Sequence, residues 1–376
     1  MDEVEHYDVG IIGGGLAGLT SAIHLAKEGH KVVLIEKNSY PKHKVCGEYI
    51  SSEVTPYLLQ LGLDPYRLGA VAIKTLQLTT QRGKSLNSSL GDGGFGLSRY
   101  TLDHALMNLA VSCGVEVIHD TVVNVIKNSE DLNICTKLGR LYPVKLVQGA
   151  HGKRDKLDKV LKRPFIQKKV PFLAVKTHLT GDFPDSMVAL HTFKGGYGGL
   201  SKVEDGLINF CYIVSTTEFK KYKDIKRFEE AILCQNPALK LALAKTQPVF
   251  EQPVTISQID FSKKERCSSS IIMTGDAAGL IHPLCGNGMS MAIQSAQIFA
   301  TLGHAFLTEM ITREELEYAY KKQWNAEFKQ RLKTGRMLAK IFKNPYLSTA
   351  AFSMLKQFPF LLPKIIRQTH GKPLIS

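Results

Sequence analysis

Gly13-Gly14-Gly15-Leu16-Ala17-Gly18 is a G-x-G-x-x-G run, preceded by apolar residues 9–12 and followed by a helical pattern that reaches about residue 28. In a strand–turn–helix of this kind the first glycine permits a tight turn, the second lets a diphosphate approach the backbone, and the third lets helix and sheet pack closely. The unpaired N–H groups of Leu16 and Ala17, at the positive end of the helix, then face the anion. Glu36 closes the next apolar run 23 residues after Gly13. A carboxylate there accepts from both hydroxyls of an adenosine ribose and repels a 2′-phosphate. Lys37 beside it joins the cofactor-binding set. The pattern predicts a bound dinucleotide, FAD or NAD rather than NADP.

A second cluster separates those two. Gly275-Asp276-Ala277-Ala278-Gly279 follows apolar residues 270–274, and His282-Pro283-Leu284-Cys285-Gly286-Asn287-Gly288 leads from it into a long helical stretch. An extended cofactor that crosses a sheet needs a second contact far along the chain. Asp276 suits a ribityl hydroxyl, and the glycines admit a bulky ring beside backbone. A helix N-terminus near Gly288 would stabilise the negative charge of a reduced flavin, which favours FAD.

These clusters need an α/β frame. Residues 8–36 read as one βαβ unit whose helix stops at Gly29, and a second helical stretch from Thr101 ends at Gly114 before the apolar residues 115–118. Alternating strands and helices imply a doubly wound sheet. Between about 172 and 214 the texture changes to β-rich runs separated by glycines, which predicts an inserted antiparallel sheet as substrate domain. The expected fold is α/β: a Rossmann-type FAD-binding domain from residues 1–75, 98–165 and 255–308, a substrate domain from 76–97 and 166–254, and a helical C-terminal region, 309–376. From Phe328 onward there is no acidic residue but ten Lys and Arg, interleaved with Phe and Leu. The run Gly195-Gly196-Tyr197-Gly198-Gly199 resembles a phosphate loop only in composition.

Composition narrows the function classes. A chain of 376 residues that is 44% hydrophobic and 22% charged has no fibrous or low-complexity bias. Its net charge of +14 suits anionic cofactors, anionic lipid or nucleic acid, but no nucleic-acid recognition motif is present. Seven scattered cysteines without a C-x-x-C pair exclude a disulfide framework and a structural zinc site, so no metal is expected. With an acidic start and no long apolar run, a reducing, cytoplasmic location is expected, with peripheral contact at the inner face of a membrane through the basic tail. The same Phe and Leu residues would serve equally to cap the substrate domain.

The two cofactor motifs, with Ser98-Arg99-Tyr100-Thr101-Leu102-Asp103 between them, resemble the p-hydroxybenzoate hydroxylase-type FAD proteins, which include aromatic hydroxylases, halogenases and geranylgeranyl reductases. Pro41-Lys42-His43-Lys44-Val45-Cys46-Gly47-Glu48 is similar to the P-x-x-K-x-C-G motif of the geranylgeranyl reductase branch. The resemblance covers roughly residues 7 to 310. It implies Glu36 on the adenosine ribose, Arg99 near the FAD phosphates, Asp276 on the ribityl-diphosphate segment, and Pro283, Gly286, Asn287 and Gly288 along the flavin. It puts Cys46 and Gly47 beside the isoalloxazine. Arg99 has a second reading as a surface salt bridge to Asp103, and Cys46 as a small buried hydrophobe. Three departures stand out: His151 occupies the Asp position of the family's Gly-Ala-Asp-Gly; the reductase Y-x-W-x-F-P pattern is missing; and a single tryptophan, Trp324, rules out the halogenase W-x-W-x-I-P motif.

The resemblance therefore implies an FAD-dependent oxidoreductase that reduces C=C bonds in an apolar isoprenoid, lipid or polyketide-like substrate. NAD(P)H or another reductant would be its transient donor, with Lys153–Lys169 as a basic region for an anionic donor or a solvated face. Cys46 or a water would supply the proton, Tyr197 would roof the pocket, and Glu48 would be a pocket residue or a solvated loop carboxylate. The rivals are a monooxygenase that hydroxylates an aromatic or polyketide substrate and a non-catalytic binder of prenyl or lipid groups. The oligomeric state is left open.

Overall fold

The computed structural model describes residues 5–128, 131–167 and 171–374. Its first sheet runs, in spatial order, Cys267–Ser268, Ile271–Met273, Leu141–Gly149, Tyr7–Ile12, Val32–Glu36 and Glu116–His119, with a hairpin of Val122–Lys127 and Leu132–Thr136 attached to the Leu141–Gly149 strand. All of these pairings are parallel except those of the hairpin and of Cys267–Ser268. Parallel strands are covered on both faces, which is why Tyr7–Ile12 and Val32–Glu36 are almost wholly apolar. Helix α1 (Leu16–Lys27) packs on the sheet, and helix α2 (Arg99–Ser112) and helix α3 (Gly288–Leu307) both pack against α1. Register aligns Ile12 with Ile35 and Gly149, and Gly149 with Met273, so the carboxyl ends of four strands share one edge. Ligands of doubly wound sheets bind in the crevice at that edge.

The second sheet has nine strands. Its order is Thr246–Pro248, Phe172–Gly181, Ile208–Ser215, Gly196–Lys202, Met187–Phe193, Val71–Thr79, Ser85–Gly96 and Tyr49–Ser51, with Val254–Ile259 also pairing to Phe172–Gly181. It is antiparallel except where Met187–His191 runs parallel to Thr75–Thr79, a pairing the sequence texture did not predict. The sheet also takes in Tyr49–Ser51, starts at Val71 and extends to Ile259, so it reaches beyond 76–97 and 166–254. The glycine-rich run at 195–199 is the turn and start of the hairpin between Met187–Phe193 and Gly196–Lys202.

The tail ties the two sheets together. Helix α4 (Arg313–Lys343) starts at a Thr312 capping box, and its Leu316, Tyr320, Trp324 and Phe328, four residues apart, form a buried stripe on the first core. Asn344 caps helix α5 (Pro345–Gln357), and α6 (Leu361–Arg367) follows. Phe352 and Leu355 of α5 and Leu362 and Ile366 of α6 pack on Ile73, Leu76, Leu78, Leu90 and Val188 of the second sheet. Each such burial stabilises by roughly 1.5–3 kcal/mol.

Candidate active site

The glycine turn has the geometry its spacing predicts. Gly13 has φ of +106°, and a Cβ there would lie 2.6 Å from the Ala150 carbonyl oxygen. A Cβ on Gly18 would lie 2.0 Å from the Gly13 carbonyl oxygen, so only glycine lets the helix sit this close. At Gly15 the nearest neighbour a Cβ would meet is Arg99 Nη2, at 3.8 Å. Gly15 therefore opens onto a cavity that Leu16 and Ala17 also line. No side chain caps α1 and its first turn holds no acid, so its leading N–H groups are left for a ligand. Glu36 accepts from the Gly14 N–H at 2.7 Å and from the Asn38 N–H at 2.9 Å, which fixes its carboxylate at the strand end. Lys37 pairs with Asp155 at 2.5 Å on the rim. Arg99 holds Asp103 with two bonds, 2.7 and 2.8 Å, yet it lines the cavity beside Gly15. The salt bridge to Asp103 is present, but it is buried rather than on the surface, with Asp103 only 1% exposed.

Opposite this cradle, three cations pin the Asp276 turn from behind. Lys264 Nζ donates to the Asp276 carbonyl at 2.8 Å, Arg163 to that of Ala277 at 2.9 Å, and Arg266 to that of Ala278 at 2.7 Å. Burial pushes Lys264 down to about 8, partly offset by the charge of Asp276. Gly275, Asp276, Pro283, Gly286, Asn287 and Gly288 all line the cavity. Gly286 is left-handed, with φ of +61°, and a Cβ there would touch the Tyr49 ring at 3.1 Å. No side chain caps α3. Asn287 is instead held by Glu53, at 2.8 Å, and Arg331, at 3.2 Å. The positive end of α3 is free to face negative charge.

Cys46, Gly47 and Tyr197 are brought to the same cavity, although they lie far apart in sequence. Cys46 Sγ is 3.5 Å from Met289 Sδ, and its carbonyl accepts from Asn209 Nδ2 at 3.2 Å. Beside Gly47 there is open space. The Tyr197 hydroxyl is buried without a hydrogen-bond partner, and burial raises it well above the ordinary phenol value. The hydroxyl lies beside the Leu284 backbone.

Glu48 is not a solvated loop carboxylate. Its side chain is fully buried and accepts from Lys176 Nζ at 2.5 Å, from His178 Nε2 at 2.7 Å and from the Arg99 backbone N–H at 2.8 Å. Burial alone would push its carboxyl up, but the His178 hydrogen bond and the Lys176 charge outweigh it and hold the carboxyl low. The network locks the Cys46–Glu48 loop, with Glu48 itself at a φ of +53°. Sequence reasoning missed Lys176 and His178. The signal was present: polar residues two apart in a β run share one face. Arg163 falls in the basic region 153–169, expected to meet an anionic donor or to be a solvated face, but it is fully buried, whereas Lys168 and Lys169 lie outside the described residues. Lys264 and Arg266 carried no signal. His151, at the position where the family has aspartate, bonds Asp158 through Nε2 at 3.0 Å, and Asp158 also holds Arg163.

The cavity has a volume of about 1340 Å³. It continues from the cradle past Cys46 into a chamber walled by Leu76, Leu78, Leu90, Val188, Leu190 and Ile213 of the second sheet. The tail closes it with Phe342, Phe352, Leu355 and Ile366. Small-molecule sites usually span about 300–1,000 Å³, so this space exceeds one ligand. The uncapped helix ends, the glycine cradle and Glu36 fit a dinucleotide, and the chamber beyond it fits an apolar molecule. Among the described residues no cluster of His, Cys, Asp or Glu suits a metal ion.

A family model for FAD-dependent oxidoreductases matches residues 8–85. The chain is 20% identical to conditioned medium factor receptor 1 of Dictyostelium discoideum, over 95% of this chain and 75% of that protein. It is 25% identical to a digeranylgeranylglycerophospholipid reductase of Methanosarcina acetivorans, over 85% of this chain and 80% of that enzyme. Among solved structures it is similar to a flavin-dependent brominase, with a TM-score of 0.79 and 20% identity over 97% of this chain and 93% of the brominase. That last likeness is one of fold.

Proposed function

We propose that this chain, an FAD-dependent oxidoreductase whose fold is similar to that of flavin-dependent enzymes, reduces C=C bonds in an apolar isoprenoid or lipid. The observation that carries this reading is the continuity of the glycine cradle with an aliphatic chamber in one cavity of about 1340 Å³. The similarity to a reductase of geranylgeranyl lipids and the Cys46-Gly47 motif support it.

In this proposal the N–H groups at the start of α1 bind the diphosphate, Arg99 adds a cation beside it, Glu36 takes the adenosine ribose and Asp276 a ribityl hydroxyl. FAD, once bound and reduced by its donor, would supply hydride to one carbon of the double bond. The free end of α3 stabilises negative charge at the ring. The Tyr197 hydroxyl, kept protonated by burial, or the Cys46 thiol gives a proton to the other carbon. The aliphatic walls orient the chain of the substrate and exclude water. Lys153, Arg154, Lys156 and Lys159 line the polar end of the cavity, where they would meet an anionic donor such as NAD(P)H.

Stopped-flow mixing of photoreduced protein with a dispersed polyprenyl lipid, without oxygen, tests the reading. Reoxidation by the unsaturated lipid and none by its saturated analogue is expected. No reoxidation by any unsaturated lipid, with rapid oxygen-dependent turnover on aromatic compounds, would replace it with a monooxygenase.

A further inference from the structure

Cavity-lining side chains reach solvent at the nucleotide end, through Lys37, Lys156 and Lys159, and along the Val254–Ile259 strand, through Thr255, Ser257 and Gln258. At the tail end they are Met337, 51% exposed, and Met354, 47% exposed. This tail mouth is apolar and lies between α4 and α5. Tyr346 and Leu347 of α5, and Phe358 and Phe360 in the turn between α5 and α6, are exposed, although the opposite faces of these helices are buried on the second sheet. Phe358 and Phe360 pack edge to face at 6.1 Å, and Lys364 Nζ lies 5.3 Å from the Phe360 ring centre. Lys356, Lys364 and Arg367 are exposed alongside them, and the chain has no acid after Glu327. Exposed aromatics ringed by cations, with no acid, match the boundary of an anionic bilayer. A second copy of this surface would bring the same cations together.

We infer that the α5–α6 face docks on a bilayer carrying anionic lipids, and that the apolar substrate passes from the bilayer into the chamber between Met337 and Met354. The inference rests on the proposed apolar substrate, and it adds where that substrate comes from. Among the described residues no helix is long and apolar enough to cross a membrane, so the contact is peripheral.

Vesicle co-sedimentation tests it. The flavin-loaded protein should bind phosphatidylcholine vesicles containing phosphatidylglycerol, bind pure phosphatidylcholine weakly, and dissociate in high salt. Each cation near such a surface contributes about fivefold, so K356Q/K364Q/R367Q should lose about a hundredfold in partitioning. F358S/F360S should lose binding to both vesicle types. All five side chains are exposed, so both variants should keep wild-type flavin content and reduce detergent-dispersed substrate normally, while reducing vesicle-embedded substrate poorly. A wild-type protein that ignores anionic vesicles, binds them only as well as the variants do, or hides this face in a dimer by light scattering would overturn the inference. Normal vesicle binding with no reduction of detergent-dispersed lipid would uphold the surface and defeat the reductase reading instead.

Discussion

Glu48→Ala should cost about 3–5 kcal/mol of folding stability, because it leaves the fully buried Lys176 without its counter-ion. One part of that cost is set by lysine itself. Giving up its proton at pH 7 from an ordinary value near 10.4 costs about 4.6 kcal/mol, at about 1.36 kcal/mol per unit. Glu48→Gln keeps an acceptor for Lys176 and the Arg99 N–H and should cost less. E48Q/K176M should recover part of that loss, since neither charge is then stranded. The measurement is urea unfolding followed by circular dichroism, with and without saturating FAD, because a ligand that binds only the folded state adds its own stabilisation. The pH dependence has a definite sign. The folded-state carboxyl lies below its ordinary 4.5, so its contribution is present above that value and is lost as pH falls through the lower folded value. Wild type and E48Q should converge in that acid range. A loss under about 1 kcal/mol in E48A, or strict additivity of E48Q and K176M, would refute the buried-pair argument.

Gly15→Val should fold, since a Cβ there meets nothing closer than 3.8 Å, but should purify without flavin; Gly18→Val should fail to fold because its Cβ would clash with the Gly13 carbonyl. Glu36→Ala and Asp276→Ala should each weaken FAD retention by about tenfold or more, read by fluorescence titration, and unchanged affinity in both would remove them from the cofactor site. Cys46→Ala and Tyr197→Phe should bind flavin normally, and whichever side chain donates the proton should lose about 10²-fold or more in kcat. Full activity in both would place the proton source elsewhere.

The cofactor half of the site was legible because its chemistry is local. The turn of residues 13–18 and the Asp276 segment each sit within a few residues, and glycine is irreplaceable where backbone meets backbone, as at Gly18. Cys46 and Gly47, read from a local motif, line the same cavity. The Glu48 network was not, because Lys176 lies 128 residues away and only the sheet brings it in. The parallel pairing of Thr75–Thr79 with Met187–His191 was hidden for the same reason. In the tail, Phe352 and Leu362 cap the second sheet as one expectation had it, while Phe358 and Phe360, in the turn between α5 and α6, are exposed. Helical period shows that two faces exist, but not which partner takes each.

The central claim is that the flavin and an unsaturated lipid share one cavity and exchange hydride. Mass analysis of a polyprenyl lipid, after anaerobic turnover in D₂O with a chemical reductant, tests it most directly. The account predicts two hydrogens gained at each reduced double bond, both as deuterium because the flavin takes its own hydrogen from solvent, and no oxygen added. A lipid recovered unchanged, with oxygen from O₂ appearing in an aromatic co-substrate when air is admitted, would contradict it.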